Sequence, residues 1–226
     1  MKCINKEDIT VYQFTWSVID SNSYVIKKNK SALIVDPIDS NELFSFVSEC
    51  NSISVVLTHA HFDHICGLNK LRETSRQVIV YASSKCSDNI QNPRKNLSNI
   101  GTAIKSFQQD CGKSLERIDR FSCEAADISF EKEFAFVWNG HNIKLEEYAG
   151  HSADSLCIIV DEKYLFSGDT ILPIPTVTRL PGGSTKVFKE SDLPRLKKMI
   201  SKIELVFPGH QNPGKLEDMI KINMII

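Results

Sequence analysis

The chain opens on alternating apolar and polar positions. Ile9-Thr10-Val11-Tyr12-Gln13-Phe14 has the two-residue period of a half-buried strand, and Ser23-Tyr24-Val25-Ile26 follows it. After the polar turn Lys28-Asn29-Lys30, Ala32-Leu33-Ile34-Val35 is a continuous apolar run of the kind found in buried strands, and Asp36-Pro37 ends it. Residues 41–49 place Leu43, Phe44, Phe46 and Val47 on one helical stripe, with Ser40 as N-cap. Residues 53–57 form another buried-type strand, 65–73 read as helix, and Val78-Ile79-Val80-Tyr81 as strand. Residues 83–127 break this rhythm. They are rich in Ser, Asn and Gln but sparse in Pro and Gly, which predicts a helical and looped insertion on one domain, not a linker.

Strands resume at Phe134-Ala135-Phe136-Val137, turn at Asn139-Gly140 and continue over 143–148. Asn-Gly between apolar residues is the strongest short hairpin signal in the chain. A second hairpin joins 156–160 to 164–166 across Asp161-Glu162-Lys163. Ser191 is read as the cap of a helix with Pro194 in its first turn, running to about Ile200. Leu205-Val206-Phe207 is the last strand, and a short helix follows Gly214. Strands and helices alternate in two halves, so the pattern predicts an α/β chain of mixed sheets with external helices, one domain over 1–226.

Composition narrows the class. At 226 residues, 42% hydrophobic and 24% charged, the chain can bury a sizeable core and still cover it with polar groups. Lys and Arg number 27 and Asp and Glu 28, a formal charge of −1, which gives no electrostatic case for a nucleic-acid or membrane-surface partner. No apolar run reaches the roughly 18 residues of a membrane helix, and the start, with Glu7 and Asp8, has no signal-peptide core. Seven cysteines, an odd number without CxxC pairs, read as reduced and partly buried rather than as a zinc ribbon. These readings together predict a cytoplasmic protein.

The six histidines carry the chemistry. Val55-Val56-Leu57 runs straight into Thr58-His59-Ala60-His61-Phe62-Asp63-His64, the pattern HxHxDH, which composition alone would produce about 3 times in 10,000 such chains. Side chains two apart on extended backbone point the same way, so His59 and His61 can grip one ion, and the following turn sends Asp63 and His64 to an adjacent position. Imidazole nitrogen and carboxylate oxygen suit Zn²⁺ and similar borderline ions. His151 after Gly150, Asp169 after Gly168 and His210 after Pro208-Gly209 each follow an apolar strand, behind a residue that lets the backbone turn. Strand ends converging on one sheet edge would make a polar pocket over a hydrophobic floor. His141 is the exception, expected to be exposed in the Asn139-Gly140 turn.

HxHxDH at 59–64, GHSADS at 150–155, FSGDT at 166–170 and FPGH at 207–210 together resemble the ordered signature of the metallo-β-lactamase-fold hydrolases. Asp36, in LIVDP, resembles that family's acidic residue behind the metal ligands. The resemblance spans 36–210 and implies a four-layer αββα sandwich of two mixed β-sheets, with the metal site at one edge. Carried over by position, it implies His59, His61 and His151 on one divalent ion, Asp63, His64 and His210 on a second, and Asp169 between them. Zinc is the implied metal, with Fe or Mn as alternatives. Such a pair would lower the pKa of a shared water toward neutrality, with Asp63 as the catalytic proton carrier.

A bridging aspartate at position 169 is similar to glyoxalase II-like thioesterases and lactonases and unlike most zinc β-lactamases, so the expected reaction is hydrolysis of a thioester or related ester or lactone. RLPGGS at 179–184 resembles a segment of small glyoxalase II-like proteins, except that Arg179 stands where Asp is usual, which favours an anionic small-molecule substrate. Only 16 residues follow His210, too few for the C-terminal glutathione-binding domain of true glyoxalase II. The 83–127 insertion is the expected substrate cover. The alternative is a persulfide dioxygenase on the same fold, with one iron held by two histidines and an aspartate.

Overall fold

Five strand segments and one helix precede the first histidine, and their order sets where the histidines emerge. The computed structural model describes residues 1–74, 77–99 and 119–224. Its first sheet begins with β1 (Lys2–Asn5), β2 (Thr10–Trp16), β3 (Ser21–Lys28) and β4 (Ser31–Val35), joined antiparallel. Asn29, at a φ of 55°, makes the tight turn between β3 and β4. Helix α1 (Asn41–Phe46), capped by the Ser40 hydroxyl, returns the chain to β5 (Ser52–Val56), which lies parallel to β4. Two short helices, α2 (Phe62–Ile65) and α3 (Leu68–Arg72), lead to β6 (Gln77–Ser83), parallel to β5. Helix α4 (Ser84–Ile90) follows, and β7 (Ile128–Phe130) closes a seven-stranded sheet in sequence order.

The second sheet contains β8 (Glu133–Trp138), β9 (His141–Glu147), β10 (Leu156–Val160), β11 (Tyr164–Gly168) and β12 (Leu205–Pro208). Its pairs are antiparallel except β11–β12, which is parallel because a helical crossover separates the two strands. The inner faces meet through Tyr24, Leu33 and Val56 on one side and Ile158, Phe166 and Phe207 on the other. The Tyr24 ring packs edge-on against Phe166 and Phe207, and its hydroxyl donates to the Pro208 carbonyl at 2.8 Å. Helices α1 to α4 cover the outer face of the first sheet through Leu43, Ile65, Leu68 and Ile90. Phe188, Leu193, Leu196 and Met219 cover the outer face of the second. Two mixed sheets between two helical layers form the αββα sandwich. No helix among the described residues is long and apolar enough to cross a membrane.

Several details differ from the sequence reading. β1 and β7 pair only at sheet margins and carry too little alternation to be read locally. The helix expected from Ser191 starts at α5 (Thr185–Val187), where the Ser184 hydroxyl accepts from the Val187 amide at 3.2 Å. A π-helical turn, Phe188–Asp192, contains Ser191 and precedes α6 (Leu193–Lys197). Pro194 has no N–H to donate, and the ladder loosens ahead of it. α7 (Leu216–Asn223) is the helix expected after Gly214.

His141 is buried rather than exposed, with Nδ1 2.7 Å from Asp161 Oδ2. The two-residue turn makes His141 the first residue of β9, where the Asp161 turn of the neighbouring hairpin covers it. Cys50, Cys86, Cys123 and Cys157 are buried and not in disulfides, whereas Cys111 and the middle of the 83–127 insertion, residues 100–118, lie outside the described residues.

Candidate metal centre

The ends of β4, β5, β9, β11 and β12 open on the same edge of the sandwich, and each delivers one predicted group. Asp36 follows β4, the 57–64 turn follows β5, His151 lies beyond the end of β9, Asp169 directly follows β11, and His210 lies just beyond β12. His59, His61 and His151 each present one nitrogen within 4.8 Å of the others, and Asp63, His64 and His210 make a second such group. Asp169 lies between the two. Its Oδ1 is 3.5 Å from His64 Nε2, and its Oδ2 is 3.6 Å from His151 Nε2 and 3.5 Å from His210 Nε2. Asp63 Oδ2 is 3.2 Å from His64 Nε2 and 3.4 Å from His210 Nε2.

These residues fit a pair of divalent ions. Donors about 2.0–2.2 Å from one ion and spread tetrahedrally stand roughly 3.3–3.6 Å apart, close to the 3.2–3.6 Å separating the Asp63 and Asp169 oxygens from the His64, His151 and His210 nitrogens. His59 Nε2, His64 Nε2 and Asp169 Oδ1 are buried without a hydrogen-bond partner, an arrangement that is costly unless a cation completes it. The donor set is imidazole and carboxylate with no thiolate, which suits zinc, iron or manganese.

Three of the five rings are turned by the nitrogen that does not face the centre. His151 Nδ1 lies 2.7 Å from the Val177 carbonyl, His64 Nδ1 lies 3.1 Å from Asp36 Oδ2, and His59 Nδ1 lies 3.0 Å from the Thr58 hydroxyl. Such outer partners fix the tautomer and leave Nε2 for the ion. Asp36 thus stands behind the ligands, as its sequence position implied.

The charges divide the site in two. Burial first, then the His64, His61 and His151 rings, hold His59 well below the usual histidine pKa, so its lone pair is free. Burial opposes charge on His210, but Asp169 and Asp63 outweigh it and push its pKa up to about 10. Burial would raise Asp63, yet the facing His64 and His210 hold it well below the usual carboxylate range. Entering cations would displace protons from this second group.

Two residues that sequence reasoning missed complete a common pattern. Three buried carboxylates accept backbone N–H groups next to the candidate ligands: Asp36 from Thr58 at 2.7 Å, Asp154 from Ala60 at 3.1 Å, and Asp192 from Gly150 at 2.7 Å. Asp154 also accepts from Asn89 of α4 at 3.1 Å. It lies inside the GHSADS motif, which was the only signal for it. Asp192 gave none, since its partner is 42 residues away and reached through the π turn. Gly150 is held at both ends, because the Ser184 amide also donates to its carbonyl at 2.8 Å. Arg179 is exposed and pairs with no described residue.

Comparison with known proteins agrees with this architecture. The family model described as "Metallo-beta-lactamase superfamily" matches residues 16–210. Hydroxyacylglutathione hydrolase of Glaesserella parasuis is 24% identical over 171 residues, 75% of this chain and 54% of that protein, so the chain spans about half the length of this relative. The protein named probable polyketide biosynthesis zinc-dependent hydrolase BaeB, of Bacillus velezensis, is 26% identical over 229 residues, 96% of this chain and 84% of that one. Among solved structures, the BLEG-1 B3 metallo-beta-lactamase has a TM-score of 0.76 at 24% identity, covering 95% of this chain and 98% of its own. ETHE1 from Myxococcus xanthus has a TM-score of 0.67 at 18% identity, covering 94% and 82%. Both structural likenesses show the fold alone. With most of its length matched by the family model, the chain belongs to the metallo-beta-lactamase superfamily.

Proposed function

We propose that this protein is a dinuclear, glyoxalase II-like metal hydrolase that cleaves a thioester or a related ester or lactone. The observation that carries the reading is the Asp169 carboxylate, one oxygen toward His64 and the other toward His151 and His210, so that it joins the two groups of candidate ligands. Two divalent ions held there, most simply zinc, would bring a shared water near neutral pKa and polarise the scissile carbonyl. His59, His61 and His151 would hold one ion, and Asp63, His64 and His210 the other. Asp63 takes the proton of the attacking water and returns it to the leaving sulfur or oxygen. Asp36, Asp154 and Asp192 keep the ligand backbone from relaxing.

The substrate is a small molecule, and Arg179 beside the site favours an anionic one. Two divalent ions together with one hydroxide would shift the formal charge from −1 to about +2 and concentrate it at this edge. The described part of the insertion abuts the site, with Leu97 packed on Phe62 and the Phe62 amide donating to the Asn96 carbonyl at 2.8 Å. It supplies part of the substrate cover. A cytoplasmic location, with no nucleic-acid or membrane partner, accords with the balanced composition.

The test is a hydrolysis panel of thioesters, lactones, β-lactams and phosphodiesters on protein of measured metal content. Thioester or lactone turnover with two ions per chain supports the reading. One iron per chain with thiol-dependent oxygen uptake overturns it in favour of a dioxygenase.

A further inference from the structure

Six large hydrophobic side chains are exposed among the described residues, and three of them, Ile174, Val177 and Leu180, fall within seven consecutive positions at 42, 51 and 36% exposure. Two of the others, Met1 and Met224, lie near the ends of the chain. Exposed hydrophobics scattered singly need no explanation, but a cluster marks a binding surface. This cluster borders the metal centre. Its loop leaves the site at Asp169, and the Val177 carbonyl takes His151 Nδ1.

The loop is a fixed platform. Pro173, Pro175 and Pro181 restrict its backbone. The buried side chain of Asn223 accepts from the Thr176 amide at 2.7 Å and donates to the Leu172 and Ile174 carbonyls at 2.8 and 3.2 Å. The Thr178 and Thr185 hydroxyls meet at 2.7 Å. Buried Thr176 and Thr178 thus anchor the segment while Val177 between them is displayed. A surface ordered before binding loses little entropy on contact. From Thr170 to Lys189 the sequence contains no carboxylate, and Arg179 is the one charged residue between Ile174 and Leu180.

A second apolar group also borders the site. Phe62, between His61 and Asp63, and Leu97 form a small cluster apart from the three main core clusters, with half-buried Trp16 and Ile19 packed on it. The Trp16 and Phe62 rings meet edge-on at 6.3 Å. Ile19 precedes the stretch where the Ser21 hydroxyl donates to the Asp63 carbonyl at 3.1 Å and Ser21 bridges His210.

We infer that the acyl part of the substrate is an apolar chain, held between the Ile174–Val177–Leu180 platform and the Trp16–Ile19–Phe62 wall while its carbonyl lies at the metal centre. This deepens the hydrolase reading and rests on it. An apolar acyl group removes the loop side chains from water, whereas a short hydroxylated one would leave them exposed.

The experiment is a series of N-acetylcysteamine thioesters from acetyl to octanoyl, assayed on the wild-type, metal-loaded protein. Each methylene held in the cleft should raise kcat/KM about two- to fourfold, and Leu180→Asp and Ile174→Asp should flatten that slope. If thioesters are cleaved but kcat/KM is flat or falls with chain length, the inference is overturned and the hydrolase reading stands. Cleavage of no thioester overturns the inference, and the hydrolase reading falls with it only if the lactones of the panel are inert as well. A flat series together with a concentration-dependent dimer would assign the face to a second copy of the chain, and would equally overturn the inference.

Discussion

The sharpest consequence of the geometry is at Gly209, the residue before His210. A β-carbon there would lie 2.2 Å from Asp169 Oδ1, 2.8 Å from His64 Cε1 and 2.9 Å from the Gly168 carbonyl carbon. Unbonded carbon contacts are normally about 3.5 Å or more, so the overlap is on the order of 1 Å. Little nearby can yield. Gly168 is fixed at a φ of 47° with the Thr58 side chain against it, and the Gly209 amide donates to the Gly168 carbonyl at 2.7 Å. The Asp169 carboxylate must therefore swing away from the position where it joins the two ligand groups.

Gly209→Ala should cost about 1–3 kcal/mol of stability through overpacking. Loss of the bridging geometry should weaken metal binding roughly 10–100-fold and lower turnover about 100-fold, the penalty for a misplacement near 1 Å. Chelator competition and metal analysis read the second effect, and thermal unfolding of the metal-free protein reads the first. Gly214→Ala is the control, since its β-carbon meets only the flexible end of Met219, at 3.3 Å, and should be close to neutral. If Gly209→Ala holds two ions as tightly as the wild type, the close approach of β12 to Asp169 does not set the site.

Three further outcomes are expected. Burial pushes Asp192 from 3.8 up to about 6, so the folded chain holds this proton more tightly than the unfolded one, and its contribution to stability falls by about 2–3 kcal/mol as pH rises from 4 through 6. Urea unfolding across that range should show the loss in the wild type relative to Asp192→Asn; two parallel curves would refute it. Asp154→Ala leaves the Ala60 amide and Asn89 side chain without their acceptor, and should cost about 1–3 kcal/mol while loosening His59 and His61. Unchanged metal affinity in that variant would show that Asp154 stabilises without positioning. His141→Ala removes a buried partner of Asp161 far along β9 from the ligands, so melting temperature should fall with metal content intact.

Most of the sheet was legible in the chain because its strands are covered on one or both faces, and cover imposes apolar runs. The β8–β9 turn was legible because Asn139 and Gly140 both need positive φ, 47° and 90°. The helix at 185–197 was misread because a proline and a serine look like a start, while the actual cap, Ser184, lies seven residues earlier. His141 was misread because its partner belongs to another hairpin.

The sequence alone specified the identities of the candidate ligands, since HxHxDH places four of them within six residues, and it specified the strands that carry them. Only the tertiary structure decided what surrounds them. Asp192 reaches the Gly150 amide across 42 residues through a π turn, and Asp154 ties Ala60 to α4. The Val177 carbonyl turns His151 while its side chain faces solvent. Ligand chemistry is a property of residue type and short spacing, which a sequence displays directly. Orientation and pocket character come from contacts between segments distant along the chain, and these exist only once the two sheets have packed.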